Sequence, residues 1–414
     1  MDSNIARSRR RVVVTGLGAV TAAGWGVAPF LRAARSGQTT IGPFDRFDHA
    51  RQRTHIAGQV PPMPLAAMKQ RVPWRQLSNS DRFALCSAFE AAEQAGLTVP
   101  IGVRHAGVFF GSSTGGLFEG EQYFQELVCR PEHRPPQTRL ASHVLSAPAE
   151  TVARHLGVQG PVETVSSSCA SGGMAIEQAL RAVRDGEVDV ALAGGADCLS
   201  LTTYSGFNAL RAVDERPCRP FRADRAGLSL GEGGAVLVIE ALEHARARGA
   251  EPLAELLGAG SSCDAGHMTA PHADGLGASL AIGRALEDAG IEPVAIDFIN
   301  AHGTGTPLND AAEYAALHRM FGDRTSTVPM EATKSVIGHL LGAAGAIEAT
   351  SAVLGLLARR VHETSGGGEI DPALPVGLVL DSRRPASEYR TALSVSLGFG
   401  GANAAVIFGR WDAP

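Results

Sequence analysis

Four times the chain runs a short apolar segment directly into glycine: RVVVTGLGAVTAAG from Arg11, HAGVFFGSSTGG from His105, VDVALAGG from Val188 and AIDFINAHGTG from Ala295. Runs of this kind read as buried strands entering tight turns. Helical patterns separate them, among them AIEQALRAVRDG, ASLAIGRALEDAG, DAAEYAALHRMFG and HLLGAAGAIEATSAVLGLLA. Strand and helix in alternation predict an α/β layered fold. A further helix is expected from Asp81 to Gly96, with Ser80 or Asp81 at its cap. The strand-then-glycine unit recurs in both halves and hints at a duplication. The boundary falls near residues 250–256, dividing the chain into 1–255 and 256–414. Residues 130–140 and 362–375, rich in Pro or Gly, read as irregular surface.

Composition narrows the function classes. With 49 glycines and 5% aromatics, the chain suits tight turns and close backbone approach. A formal charge of −5 gives no general drive toward nucleic acid or an anionic membrane. The six cysteines form no C-x-x-C pair, so neither a zinc site nor a redox dithiol is indicated. Arginines 7, 9, 10 and 11 lead straight into VVVTG without a signal-like apolar stretch, and no membrane-spanning run is expected. A reducing cytosol is the expected location. Of 37 basic residues only Lys69 and Lys334 are lysines, so Lys334 marks a place that could need a compact ammonium.

Four segments can carry chemistry. In VETVSSSCASGGMAIEQALRAV, Cys169 stands where a strand gives way to a helix, and a helix N-terminus favours the nucleophilic thiolate. The alternative for Cys169 is an inert buried thiol. INAHGTGTPLND sets His302 after a strand, Thr304 and Thr306 beside it, and Asp310 and Glu313 as supporting carboxylates. ATKSVIGHLLGAAGAIEA holds Lys334, then His339 at the start of a helix, then Glu348. Glu348 is either a solvated helix charge or a buried ion partner for Lys334. SVSLGFGGANAAVIF is a Gly-rich turn whose N–H groups could face an oxyanion, with Phe399 between glycines.

Taken together, S-S-C-A-S-G, AHGTGTPLND, TKSVIGHLLGAAGAIEA and GFGGAN stand in the order and at the separations of the β-ketoacyl-acyl-carrier-protein synthases of the Cys-His-His kind. The chain resembles that family from Val12 to Phe408. The resemblance implies a thiolase-type five-layer α-β-α-β-α sandwich of two related halves, paired as a dimer. It implies that Cys169 takes the acyl chain as a thioester, with the N–H groups of Cys169 and Phe399 as the oxyanion hole. His302 and His339 would bind the malonyl thioester and stabilise the enolate left by decarboxylation, giving a product two carbons longer. Lys334 with Glu348 would be a structural and electrostatic pair, and Phe399 a gate. Thr304, Thr306, His267 and Thr269 would contact the pantetheine arm, and Thr114 would lie near the acyl pocket. No metal or cofactor of its own is implied; phosphopantetheine arrives on an acyl carrier protein, for which Arg71, Arg75 and Arg82 are candidate docking cations. The dimer partner would be a second copy or a related ketosynthase-like subunit.

Departures from the family pattern point toward specialised polyketide or polyene synthesis as well as fatty acid synthesis. Ser167-Ser168-Cys169 replaces the frequent Thr-Ala-Cys, and Thr114 replaces a bulky aliphatic. The stretch after Leu357 lacks a Pro-Pro-Thr-x-Asn pattern. A degradative thiolase would bear a late second cysteine, and none follows Cys263. A chain-initiating synthase would usually place Asn where this chain has His339. A non-catalytic chain-length subunit would usually lack Cys169.

Overall fold

A computed structural model describes residues 9–64, 72–101, 105–130, 132–381 and 388–412. All four strand-then-glycine runs form strands. In the first half the strands are β1 (Val12–Thr21), β2 (Ala106–Gly111), β3 (Val162–Val165), β4 (Val190–Asp197) and β5 (Gly233–Ala241). In the second they are β6 (Ala254–Cys263), β7 (Phe298–Asn300), β8 (Met330–Glu331), β9 (Thr391–Gly398) and β10 (Ala402–Arg410). Across the first half the spatial order is β3-β2-β4-β5-β1, and across the second β8-β7-β9-β10-β6. Numbered by rank within its half, each reads 3-2-4-5-1. The strand directions repeat as well: ranks 3-2 and 2-4 are parallel, ranks 4-5 and 5-1 antiparallel. The duplication hinted at by the sequence is therefore a repeat of topology. The halves meet where β1 pairs β6 through Val13↔Glu255 and Val14↔Ala254.

The long helices supply the other layers. Helices α1 (Asn79–Gln94) and α2 (Ala147–Leu156) cover the outer face of the first sheet. Between the sheets lie α3 (Ser171–Arg184) and α6 (Ala344–Ala358), and α4 (Leu276–Ala289) with α5 (Pro307–Phe321) covers the second. The result is the expected five-layer α-β-α-β-α sandwich. Helix α1 starts earlier than expected: Ser78 is its cap, and Ser78 and Asp81 bond reciprocally as a capping box.

Leu341–Ala358 is, against the sequence expectation, long and apolar enough to cross a membrane by length and composition. It is 89% buried as the central layer, and a helix enclosed on all sides needs apolar residues all round. Glycine lets the two central helices approach. A Cβ on Gly345 would lie 2.5 Å from the Gly173 nitrogen, and one on Gly172 would lie 2.7 Å from that of Ala346. Residues 362–365 also differ from expectation: His362, Thr364 and Ser365 are buried, because their polar groups are bonded to the strand end at residues 331–335.

Candidate active site

Beyond β3 the chain turns through Ser166, Ser167 and Ser168 into Cys169, two residues before α3 begins. Ser168 has φ +50, a left-handed conformation costing of order 1–3 kcal/mol for a residue with a side chain. Hydrogen bonds hold it there. The Ser171 hydroxyl accepts from Ser167 N–H (2.8 Å) and donates to the Ser168 carbonyl (2.6 Å), which also accepts from Ser113 Oγ (3.1 Å). The thiol that results is 7% exposed. Burial pushes it up to about 11, against the Lys334 charge and the hydrogen bond from Phe399 N–H. The sequence expectation of a favoured thiolate is thus overturned by desolvation. Cys169 is therefore held as a thiol near neutral pH.

His302 follows β7 and is enclosed at 2% exposure. Its backbone N–H and that of Gly303 donate to the two Glu313 oxygens, at 2.6 and 2.8 Å. Asp310 accepts from Gly305 N–H (3.1 Å) and Phe221 N–H (2.8 Å). Both carboxylates therefore reach back to fix the loop that carries the imidazole. Burial raises them, Asp310 to about 6 and Glu313 to about 8.

Lys334 joins the elements. Its ammonium meets His302 Nδ1 at 2.9 Å, the His302 carbonyl at 2.6 Å and the Glu348 carboxylate. Glu348 is thus the buried ion partner, on α6, while His339 precedes that helix instead of starting it. Burial pushes the Glu348 carboxyl up to about 7 against the pull of Lys334. The three ammonium hydrogens are all engaged. An ammonium only donates, so His302 Nδ1 accepts and its proton sits on Nε2. His339 reaches the same state by another route, because its Nδ1 accepts from Leu341 N–H at 3.1 Å. Burial first, then the Lys334 charge, lowers both imidazoles well below their usual value. Two neutral rings, 5.4 Å apart and nearly perpendicular, each keep an Nε2–H to offer.

Cys169, His302 and His339 line one cavity of about 250 Å³ with Thr269, Thr304, Thr306 and Phe399. Phe399 stacks on Phe207, ring centroids 5.4 Å apart. Two residues expected at the substrate, Thr114 and His267, are not in that lining. Thr114 gives its hydroxyl to Asp197 (2.9 Å) and is absent from the cavity lining. His267 is exposed, its Nδ1 accepting from Thr269 and Ala270 N–H within its own loop. Arg82 is half-buried and tethered to the Trp74 carbonyl, whereas Arg75 is exposed; Arg71 and Lys69 lie outside the described residues. Sequence reasoning passed over Asp197, which accepts from Ser113, Thr114 and Gly342 N–H and ties the Cys169 side to the His339 side. A carboxylate closing an apolar strand two residues after its glycine pair was the available signal. It also missed Phe207, Arg211 and Asn403, which line the cavity. No group of three or more metal-ligating side chains occurs among the described residues.

A buried thiol facing two neutral imidazoles at the seam of a duplicated sandwich defines an acyl-transfer site on a thiolase-type fold. Residues 9–245 match the model of the β-ketoacyl synthase N-terminal domain, and residues 253–367 that of its C-terminal domain. The chain is 34% identical over 412 residues to 3-oxoacyl-[acyl-carrier-protein] synthase 2 of Synechocystis, covering 98% of this chain and 99% of that one. It is 39% identical to a putative polyketide β-ketoacyl synthase 1 of Streptomyces halstedii, covering 96% and 97%. Among solved structures, the ishigamide ketosynthase/chain length factor superposes with TM-score 0.92 at 35% identity, covering 98% of this chain and 100% of that one. A type II polyketide ketosynthase solved with its acyl-carrier protein superposes at 0.88 and 29%, covering 98% and 100%. The chain belongs to the β-ketoacyl synthase family, and its activity is that of a β-ketoacyl-acyl-carrier-protein synthase, an acyltransferase.

Proposed function

We propose that the residue roles follow the geometry around Cys169, in a chain divided functionally at about residue 255. Cys169 attacks an acyl thioester as its proton departs, and the carrier thiol leaves protonated. The N–H groups of Cys169 and Phe399 stabilise the tetrahedral oxyanion. Malonyl-carrier then enters, and the Nε2–H groups of His302 and His339 bind its thioester carbonyl. Carbon dioxide leaves, the electron pair of the broken C–C bond becomes an enolate, and its carbon attacks the acyl–Cys169 carbonyl. The collapsing adduct expels the Cys169 thiolate and forms a β-ketoacyl-carrier two carbons longer. Neutral donors suit this step, since they hold the enolate oxygen without first binding the malonyl carboxylate. The observation that carries the reading is the matched tautomer: both Nδ1 atoms are occupied inside the fold, leaving both Nε2–H groups for the cavity shared with the thiol.

Thr304, Thr306 and Thr269 hold the phosphopantetheine arm, which the carrier protein brings; the chain supplies no cofactor of its own. The six cysteines are free thiols, in keeping with a reducing cytosol. The purified chain, given acyl-carrier and malonyl-carrier, is expected to yield β-ketoacyl product, and Cys169→Ala to yield none.

A second reading rests on the solved pairs of ketosynthase with chain length factor, among them one from Xenorhabdus doucetiae. In it, this chain is the Cys-bearing member of a heterodimer. Product only after addition of a related subunit would select that reading over a homodimer.

A further inference from the structure

Residues 361–365, where the sequence leaves the family pattern, run alongside residues 331–335 with all but Glu363 buried. Three bonds stitch them: His362 N–H to Glu331 Oε2 (2.7 Å), Ala332 N–H to Thr364 Oγ1 (3.0 Å) and Ser365 N–H to Ser335 Oγ (2.8 Å). A proline at 362 would have no N–H for the first of these. Glu331 itself is 1% exposed. Its Oε1 accepts from Asn300 Nδ2 (2.6 Å) and Ser351 Oγ (2.7 Å), and its Oε2 lies 3.2 Å from His362 Nδ1. The Ser351 hydroxyl gives its one hydrogen to Glu331. It must then accept at 2.9 Å from His362, which places a proton on Nδ1. Burial raises Glu331, but His362 and the hydrogen bonds outweigh it and hold the carboxyl below its usual range. His362 Nε2 is buried and has no hydrogen-bond partner, a cost that apolar packing alone would not incur.

Each arm of the catalytic centre has one foot on this cluster. Asn300 stands two residues before His302, and its Nδ2 also donates to Thr333 Oγ1 (2.8 Å), next to Lys334. Ser351 lies about one turn after Glu348 on α6. The Glu331 charge is among those that raise Glu348. Lys334 faces His302 and Glu348, and its field reaches His339, Cys169 and Glu313; Glu348 also meets Ser396.

We propose that His362, Glu331 and Ser351 form a positioning cluster behind the Lys334–Glu348–His302 chain, with the His362 Nδ1–H, set between Ser351 and Glu331, and the Ser351 hydroxyl holding the Glu331 carboxylate in place so that Lys334 stays on Glu348 and His302. None of the three touches substrate. The cluster acts through Lys334 and rests on the condensation reading above.

Its test is the pH–rate profile of malonyl-carrier decarboxylation by the full chain, with kcat and KM separated. His362→Gln takes the ring N–H away from Glu331 and Ser351 and leaves the Glu331 charge less compensated, which raises Glu348 further and moves the acid limb up by about one pH unit. Glu331→Gln removes that charge and moves the limb down by a similar amount, and the double variant follows Glu331→Gln, because His362 acts through Glu331. In each, kcat changes while KM for malonyl-carrier does not. Profiles that superimpose on the unmodified one, with only thermal stability or KM altered, overturn the proposal. An unmodified chain that fails to decarboxylate malonyl-carrier sinks the condensation reading instead. If His362→Gln does not fold, Glu331→Gln decides alone by the presence or absence of its downward shift.

Discussion

Lys334 is tied to three acceptors, so no ammonium hydrogen is left for substrate. Its effect on chemistry is therefore electrostatic, and the thiol reports it. Lys334→Met removes a charge that lowers Cys169, so the thiol rises further. Inactivation by iodoacetamide should speed up with pH beyond about pH 9 in the unmodified chain and be slower in the variant at every pH. An equal rate in both would show that Lys334 does not reach the sulfur. Glu313 gives a second residue-scale prediction. Burial raises its folded carboxyl from the ordinary 4.5 to about 8. The folded state thus holds this proton more tightly than the unfolded chain does. The resulting stabilisation is complete below the unfolded value and lost as pH rises through the folded one. Thermal midpoints should fall between about pH 5 and pH 8, more steeply in the unmodified chain than in Glu313→Gln. Glu313→Ala should cost about 2–5 kcal/mol in denaturant titrations, since two buried N–H groups lose their acceptor.

Helices α3 and α6 carry the nucleophile's turn and Glu348, and they cross through glycine. Gly345→Val would drive a side chain into the backbone at Gly173 and force the helices apart. Destabilisation of about 1–3 kcal/mol is expected, with a loss of condensation larger than the loss of folded protein. Circular dichroism melts and product assays measured together check both. Elements of this kind were largely legible in the sequence. The strand-then-glycine runs declare themselves locally, whereas Cys169, His302 and His339 stand out only through the order of their four motifs along the chain. What was not legible depends on partners distant in the chain. The Glu331 carboxylate is satisfied by residues 300, 351 and 362, and no periodicity links those positions. The partner of Thr114 was hidden for a similar reason: its hydroxyl is taken by Asp197, 83 residues on.

At the scale of the molecule, β3 ends the first half's sheet and is paired only on its β2 side. Val162 on that strand is 41% exposed, and Val128 on the helix Leu117–Cys129 is 76% exposed. An open strand edge flanked by apolar side chains invites a second chain. Val128→Glu with Val162→Glu should shift sedimentation from dimer toward monomer, while an unchanged profile would place the pairing surface elsewhere. The repeat of topology also has a consequence in time. The nucleophile belongs to the first half, while its two imidazoles, its lysine and the phenylalanine above it all belong to the second. During synthesis about 10–50 s separate Cys169 from Phe399 at ordinary elongation rates. For that interval the thiol stands uncovered on a half-made protein, open to oxidants from which the finished fold shields it. Chains stalled before residue 300 should be alkylated at Cys169 faster than full-length protein, so the last residues made are the ones that protect a nucleophile laid down long before them.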